Sequence, residues 1–142
     1  MSINLLTITE TTATSLSIVK NVLTDPRNLS HWVPAIDTVT PTANGFQIER
    51  HAPAINQQEQ LQVTVAANRI TYASHGEHLT YVLNFLLTTI NNRTIIEEQL
   101  ILQESPNFQL PLVLLKPIVQ HECHANLLRL VNFCHNSRPS VK

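Results

Sequence analysis

Charged residues and glycines are both scarce in this sequence. Charged side chains make up 13% of the 142 residues, about half the usual share of a globular protein, and they balance to a formal net charge of −1. Nucleic-acid binders normally carry a basic excess on one face, whereas the nine Lys and Arg are scattered from Lys20 to Lys142. The two glycines, Gly45 and Gly76, are too few for a glycine-rich phosphate loop or a dinucleotide fingerprint. We therefore expect no nucleic-acid partner and no cofactor.

A long apolar run is also absent. The sequence begins MSINLLTITETT, with no basic cluster and no apolar block of the length that a signal peptide has. The longest near-continuous apolar stretch, residues 110–119, is about ten residues long and is broken by Pro111, Lys116 and Pro117, whereas a membrane span needs about twenty residues. We therefore expect no membrane span and a soluble, cytoplasmic protein.

Cysteine is limited to Cys123 and Cys134, eleven positions apart. On one helix this spacing separates them by roughly 16 Å, whereas a disulfide needs Cα atoms within about 7 Å. Because both cysteines lie among Leu and Val, we expect buried thiols that behave as small apolar side chains rather than as nucleophiles.

The segment His121-Glu122-Cys123-His124 contains residue types that ligate metals. Its spacing differs from H-E-x-x-H, in which the two histidines are four positions apart. The next candidate ligand, His135, lies roughly 16 Å further along the helix axis, and Cys123 falls on the apolar side. We interpret the segment as exposed histidines beside a buried thiol and expect no metal, with a metal held between two chains as the alternative.

The first third of the sequence predicts a strand followed by two short helices. Residues 3–10 have strand character, and the next segment has the one-sided apolar stripe of a helix of about three turns. Thr12 or Thr14 is the expected N-cap of this helix. Asp25 and Pro26 then begin a second short helix, since Asp caps well and Pro at the first position loses no hydrogen bond.

The rest of the sequence predicts consecutive strands and one long helix. From residue 36 the apolar period is two, with short connections, which indicates an antiparallel meander ending in a long strand over residues 94–103. Residues 110–135 then have helical period, and Pro117 is expected to kink this helix or mark its true start. Its apolar stripe points in one direction and consists of Leu112, Val119, Cys123, Leu127, Leu130 and Cys134.

This order of elements, together with the segment LTDPRNLSHWVP at residues 23–34, resembles the SRPBCC superfamily of START/Bet v 1-like proteins. Its members often carry a similar passage between the first and second strands. The resemblance implies an α+β helix-grip fold over a single domain, residues 1–142. In that fold a curved antiparallel sheet has two short helices after strand 1, and one long C-terminal helix is packed across the concave face.

The resemblance also implies a cavity between the concave sheet and the long helix. Relatives include polyketide cyclase-like proteins, coenzyme Q-binding proteins, plant hormone receptors, lipid carriers and co-chaperone domains. The superfamily has no shared catalytic constellation, so no catalytic residue can be carried over. The residue that does carry over is Trp32, which matches an aromatic position near the cavity.

Strand alternation supplies the other candidates for the cavity wall. Glu98 shares a strand face with Ile96 and Leu100, and Arg50 shares one with Ile48. Because isolated buried charge is costly, an Arg and a Glu on one concave face have to pair or contact a ligand. In the alternative interpretation, strand ends place these groups in solvent or a bulge flips the alternation. The predicted ligand-binding residues are Trp32, Arg50, Tyr72, Tyr81, Phe85 and Glu98.

These residues favour binding or transport of a small, mostly hydrophobic molecule. One alternative is a cyclase- or dehydratase-type enzyme that moves protons with Glu98 or a histidine. Another is a protein-interaction module whose cavity is filled by its own side chains. A hollow of several hundred Å³ separates the first two hypotheses from the third. The flank of the last helix, with Leu128 and Val131, also permits a homodimer.

Overall fold

The computed structural model describes residues 2–103 and 112–137, and its helices and strands follow the predicted order. The elements are β1 (Ser2–Thr12), α1 (Leu16–Thr24), a 3-10 turn (Pro26–Asn28), α2 (Leu29–Trp32), β2 (Ile36–Thr42), β3 (Gly45–Arg50), β4 (Gln58–Val65), β5 (Arg69–Gly76), β6 (Thr80–Ile90), β7 (Arg93–Gln103) and α3 (Leu112–Asn136).

The seven described strands form one antiparallel sheet in the order β1-β7-β6-β5-β4-β3-β2. Strands β2 to β7 pair in chain order, as a meander does, and β1 closes the sheet on the outer side of β7. The sheet is curved, and α3 lies on the same side as the cavity described below. The predicted helix-grip fold is therefore confirmed.

The connection from β1 to α2 corrects one prediction and confirms another. The N-cap of α1 is Ser15 rather than Thr12 or Thr14, because Thr12 Oγ1 instead accepts a hydrogen bond from the backbone N–H of Thr14 at 3.1 Å, ahead of the helix. Asp25 caps the 3-10 turn as expected: its Oδ1 accepts from the backbone N–H of Arg27 at 3.0 Å, and proline follows it at the first position.

The two short helices are held to the sheet by an aromatic group. The ring of Phe85 contacts Trp32 edge-on at 6.1 Å between centroids, and it contacts Tyr72 at 5.4 Å. The Tyr72 hydroxyl donates a hydrogen bond to the carbonyl of Leu23. Since each large apolar side chain contributes about 1.5–3 kcal/mol on full burial, this group fixes α1 and α2 over the middle of the sheet.

Helix α3 is buried at one end and exposed at the other. Leu127, Leu130 and Cys134 are completely buried, whereas Val113 is 88% exposed and Ile118 is 62% exposed. The C-terminal half of α3 therefore packs against the core, and the helix contacts α1, α2 and β1. The N-terminal half leaves space between itself and the sheet.

Other predictions for α3 have mixed outcomes. Pro117 lies inside the helix, so it does not mark the start. Residue 110, where the helical period begins, and the side chain of Leu112 lie outside the described residues. Leu128 is exposed and Val131 is half-buried, and a homodimer through this flank stays a prediction. No helix in the described ranges is long and apolar enough to cross a membrane.

Replacing Tyr72 with Phe tests the link between α1 and the sheet. We expect Tyr72→Phe to lower the free energy of unfolding by about 1–3 kcal/mol, because the buried Leu23 carbonyl loses its donor. Urea denaturation measures the change as a lower midpoint with an unchanged m-value. A midpoint equal to that of the wild type would contradict a stabilising role for this hydrogen bond.

Candidate functional site

A cavity of about 570 Å³ lies between the concave face of the sheet and α3, within the size range of small-molecule sites, about 300–1,000 Å³. Its sheet wall is apolar because the period-two alternation of β3, β4, β6 and β7 turns one set of side chains inward. Helix α3 supplies the opposite wall, and the loop between β3 and β4 closes one side. Apolar residues of these walls include Ile48, Leu61, Leu83, Leu100, Leu115 and Val119.

Most of the side chains predicted for the site do reach the cavity wall. The wall includes Trp32, Arg50, Tyr72, Tyr81 and Glu98. Phe85 lies behind the wall, fully buried between Trp32 and Tyr72. Contact of these residues with a ligand stays a prediction.

Arg50 is compensated by a carboxylate that the sequence analysis missed. Its Nε donates to Glu59 Oε2 at 3.1 Å, and its Nη2 donates to the Tyr81 hydroxyl at 3.2 Å. The Tyr81 hydroxyl in turn donates to Glu59 Oε1 at 2.8 Å. The pairing of Arg50 with Glu98, one of the two arrangements considered from the sequence, is therefore not realised. Burial opposes the charge of Arg50, but Tyr81 and Glu59 outweigh it and raise its pKa.

Glu59 could have been found from the sequence. Leu61 and Val63 face inward on β4, and extending the same alternation two residues back reaches Glu59. This side chain is only 2% exposed, a degree of burial that carboxylates reach almost only when paired.

Asn56 is a second polar residue that the sequence analysis missed. Its Oδ1 accepts from the backbone N–H groups of His78 and Leu79 at 3.0 and 2.9 Å, and its Nδ2 donates to the Leu79 carbonyl at 2.8 Å. Nδ2 also donates to Glu59 Oε2 at 3.3 Å. Asn56 thus joins the loop before β4 to the β5–β6 connection. No periodic pattern in the sequence predicts such a contact.

Glu98 occupies a different part of the wall, in the middle of β7. It is buried on the inward face between Ile96 and Leu100, which confirms the orientation predicted from alternation. Burial raises the pKa of Glu98 to about 8, although a hydrogen bond from the Cys123 thiol lowers it in part. Within the described residues, Oε1 has no hydrogen-bond partner. The group is therefore mainly a neutral carboxylic acid at neutral pH.

Three further titratable groups of the wall, Cys123, Tyr72 and Tyr81, have pKa values raised above their ordinary range. Burial and, to a smaller extent, the neighbouring Glu98 together raise the pKa of the Cys123 thiol to about 12, so Cys123 is a poor thiolate nucleophile. Burial likewise raises the pKa of Tyr72 and of Tyr81. The deep wall thus presents one internal ion pair, two phenols, a thiol and a neutral acid.

The histidines of α3 do not build a metal centre in the described part of the chain. His124 Nε2 lies 3.5 Å from the Glu10 carboxylate, and the Cys123 thiol interacts with the Glu98 carboxyl. Across residues 2–103 and 112–137, no three His, Cys, Asp or Glu side chains are placed to hold a metal ion. Both cysteines are free thiols.

Solved structures resemble this chain over almost its whole length. A START superfamily protein from Mycobacterium smegmatis matches with a TM-score of 0.75 at 14% identity, covering 94% of this chain and 98% of its own. The Zhui aromatase/cyclase from Streptomyces sp. R1128 gives 0.73 at 14% identity, with coverage of 95% and 94%. Ara h 8.0201 gives 0.70 at 11% identity, with coverage of 96% and 100%.

No family model matches the sequence, and no curated protein matches it. At identities of 11–14%, the structural likeness establishes the fold alone. The chain has the SRPBCC/START-like helix-grip fold.

The pKa of Glu98 predicts how stability depends on pH. The group has an ordinary pKa of 4.5 in the unfolded chain and about 8 in the folded one. As pH rises, the unfolded chain loses this proton first, so the contribution is full below about pH 4.5 and is lost by about pH 8. We expect Glu98→Gln to remove a downward slope of up to about 1.4 kcal/mol per pH unit.

Urea denaturation across this pH range measures the difference between the variant and the wild type. Glu49→Gln is the matched control, because Glu49 is an exposed carboxylate on β3, and it should keep the slope of the wild type. An unaltered slope in Glu98→Gln would show that Glu98 is ionised in the folded protein at neutral pH.

Proposed function

We propose that this helix-grip protein binds or transports a small, mostly hydrophobic molecule in the cavity between its sheet and α3. The observation that carries the proposal is a hollow of about 570 Å³ with a mainly apolar wall. Ligand sites combine these two properties with a few polar groups that fix orientation. A module that binds proteins through a filled core has no need for such a hollow.

The charges of the wall favour an uncharged ligand. Arg50 already donates to Glu59 and to Tyr81, so recruiting it for a ligand carboxylate would leave Glu59 buried without its partner. Breaking a buried pair in this way costs about 3–5 kcal/mol. Affinity then comes mainly from apolar contact area, which favours hydrophobicity over a particular charged headgroup.

A second candidate function is proton transfer to a small apolar substrate, as in a cyclase- or dehydratase-type enzyme. The observation that favours it is Glu98, a buried acid with a pKa of about 8 and an oxygen that lacks a partner in the described residues. A general acid or base works best with a pKa near the operating pH. We rank this candidate second because Arg50, Glu59 and Tyr81 already bond to one another, and Tyr72 and Cys123 have raised pKa values.

Filling the cavity tests the binding proposal. Leu83 faces the cavity from β6, and we expect Leu83→Trp to raise the Kd for fluorene, a rigid aromatic hydrocarbon, by about tenfold or more, a change of at least 1.4 kcal/mol. Equilibrium dialysis followed by chromatographic quantification measures the Kd directly.

Leu86→Trp is the matched control, because it makes the same substitution on the same strand but on the opposite face of the sheet. This variant should bind fluorene like the wild type. Equal effects of the two substitutions, or a wild-type protein that takes up no fluorene, would contradict binding in this cavity.

A further inference from the structure

The cavity wall contains two clusters of polar side chains, and only one of them has a hydrogen-bonding atom without a partner among the described residues. In the first, Arg50, Glu59 and Tyr81 satisfy one another through hydrogen bonds of 2.8 to 3.2 Å. In the second, the Glu98 carboxyl from β7 meets the Cys123 thiol from α3, and Glu98 Oε1 has no partner among the described residues. The second group therefore has hydrogen-bonding capacity left for a ligand.

We propose that Glu98 and Cys123 form a subsite that donates a hydrogen bond to a neutral acceptor on the ligand, and that the ligand class is apolar ketones and similar carbonyl compounds. This inference rests on the proposed function, since it names the chemistry of the molecule held in the same cavity. Glu98 and Cys123 both line the cavity, and Glu98 Oε1 has no partner among the described residues, so the carboxyl can donate its proton to an acceptor on the ligand.

Protonation of Glu98 decides which ligand groups the subsite accepts. A neutral carboxyl is a donor to a carbonyl oxygen, whereas a carboxylate accepts only and repels it. The pKa of about 8 keeps the donor form dominant at neutral pH. A ligand carboxylate is disfavoured at the same place, because it would ionise beside the buried Glu98 carboxyl, whose described neighbour is the Cys123 thiol rather than a cation.

Several other titratable groups lie in the cavity with Glu98. A pH titration of ligand binding has to separate the effect of Glu98 from theirs. On β1 the residue directly opposite Glu98 is the apolar Ile8, and on β6 it is Phe85. The Arg50–Glu59 pair is internally compensated. Among the described residues, the other titratable and charged groups that line this cavity are Arg50, Glu59, Tyr72, Tyr81, Glu122, Cys123 and Arg129.

Matched probes of one shape test the subsite. Fluorene and 9-fluorenone have the same ring skeleton, and only the second carries a carbonyl oxygen. We expect the wild type to bind 9-fluorenone about tenfold more tightly than fluorene at pH 6.5, the typical yield of one added hydrogen bond. This preference should disappear as pH rises to about 9.5, while fluorene binding stays constant. Equilibrium dialysis at each pH gives the ratio of the two Kd values.

Two substitutions of Glu98 distinguish the loss of its donated hydrogen bond from damage to the cavity. Glu98→Gln keeps a donor that does not titrate, so its preference for 9-fluorenone should persist from pH 6.5 to 9.5. Glu98→Met removes the donor at similar size, so its two Kd values should be equal at every pH. Binding of fluorene by each variant reports that the cavity is intact.

The failures of the two proposals are distinguishable. If the wild type binds neither probe, the proposed function is wrong. If it binds both probes equally at pH 6.5, or if the preference for 9-fluorenone grows with pH, ligand binding stands and the donor subsite is overturned. A preference that survives Glu98→Met would also overturn it.

Discussion

The cavity depends on the way in which α3 is fixed to the sheet at one end. Leu127, Leu130 and Cys134 are completely buried and fix the C-terminal half of the helix, while Val113 and Ile118 at the other end are largely exposed. An enclosed dry void of 570 Å³ would cost roughly 10 kcal/mol or more at about 24 cal/mol per Å³, as much as the whole stability of a domain. The separation of helix and sheet is therefore compatible with a space that holds solvent or a ligand.

Burial also determines which partners and which pKa values the polar side chains of the wall have. Arg50 and Glu59 are each other's salt-bridge partner inside the cavity, and Tyr81 bonds to both. Glu98 has a thiol as its neighbour instead of a cation, so burial raises its pKa. One curved sheet thus holds two buried carboxyl groups in different surroundings, Glu59 beside a cation and Glu98 beside a thiol. Because of this difference, we propose a structural role for the Arg50–Glu59–Tyr81 cluster and a ligand-binding role for Glu98 with Cys123.

The fold was predictable because its signals are local and repeated. Alternation over β3 to β7, the passage at residues 23–34 and one long helical stripe each pointed to the same architecture. Alternation favoured an inward Glu98 but left open a bulge or a strand end that would turn it to solvent, and the regular burial pattern of β7 places it inward.

The remaining features depend on contacts that no local pattern records. The partner of Arg50 is nine residues away, at the far side of a loop, and Asn56 acts through backbone groups more than twenty residues along the chain. The N-cap of α1 is Ser15 instead of a predicted threonine, because the side chain of Thr12 accepts a hydrogen bond from Thr14 before the helix begins. The size of the cavity depends on how α3 is held, which the size of individual side chains does not determine.

The measurement that tests the central claim most directly is methyl NMR of leucine-labelled protein in complex with fluorene. Binding in the cavity predicts intermolecular NOEs from fluorene to the methyl groups of Leu83, Leu100 and Leu115, which line it, and none to Leu86 on the opposite face of the sheet. NOEs confined to the exposed Leu114 and Leu128, with the cavity methyl groups unaffected, would place the ligand on the outside of α3 and contradict the account.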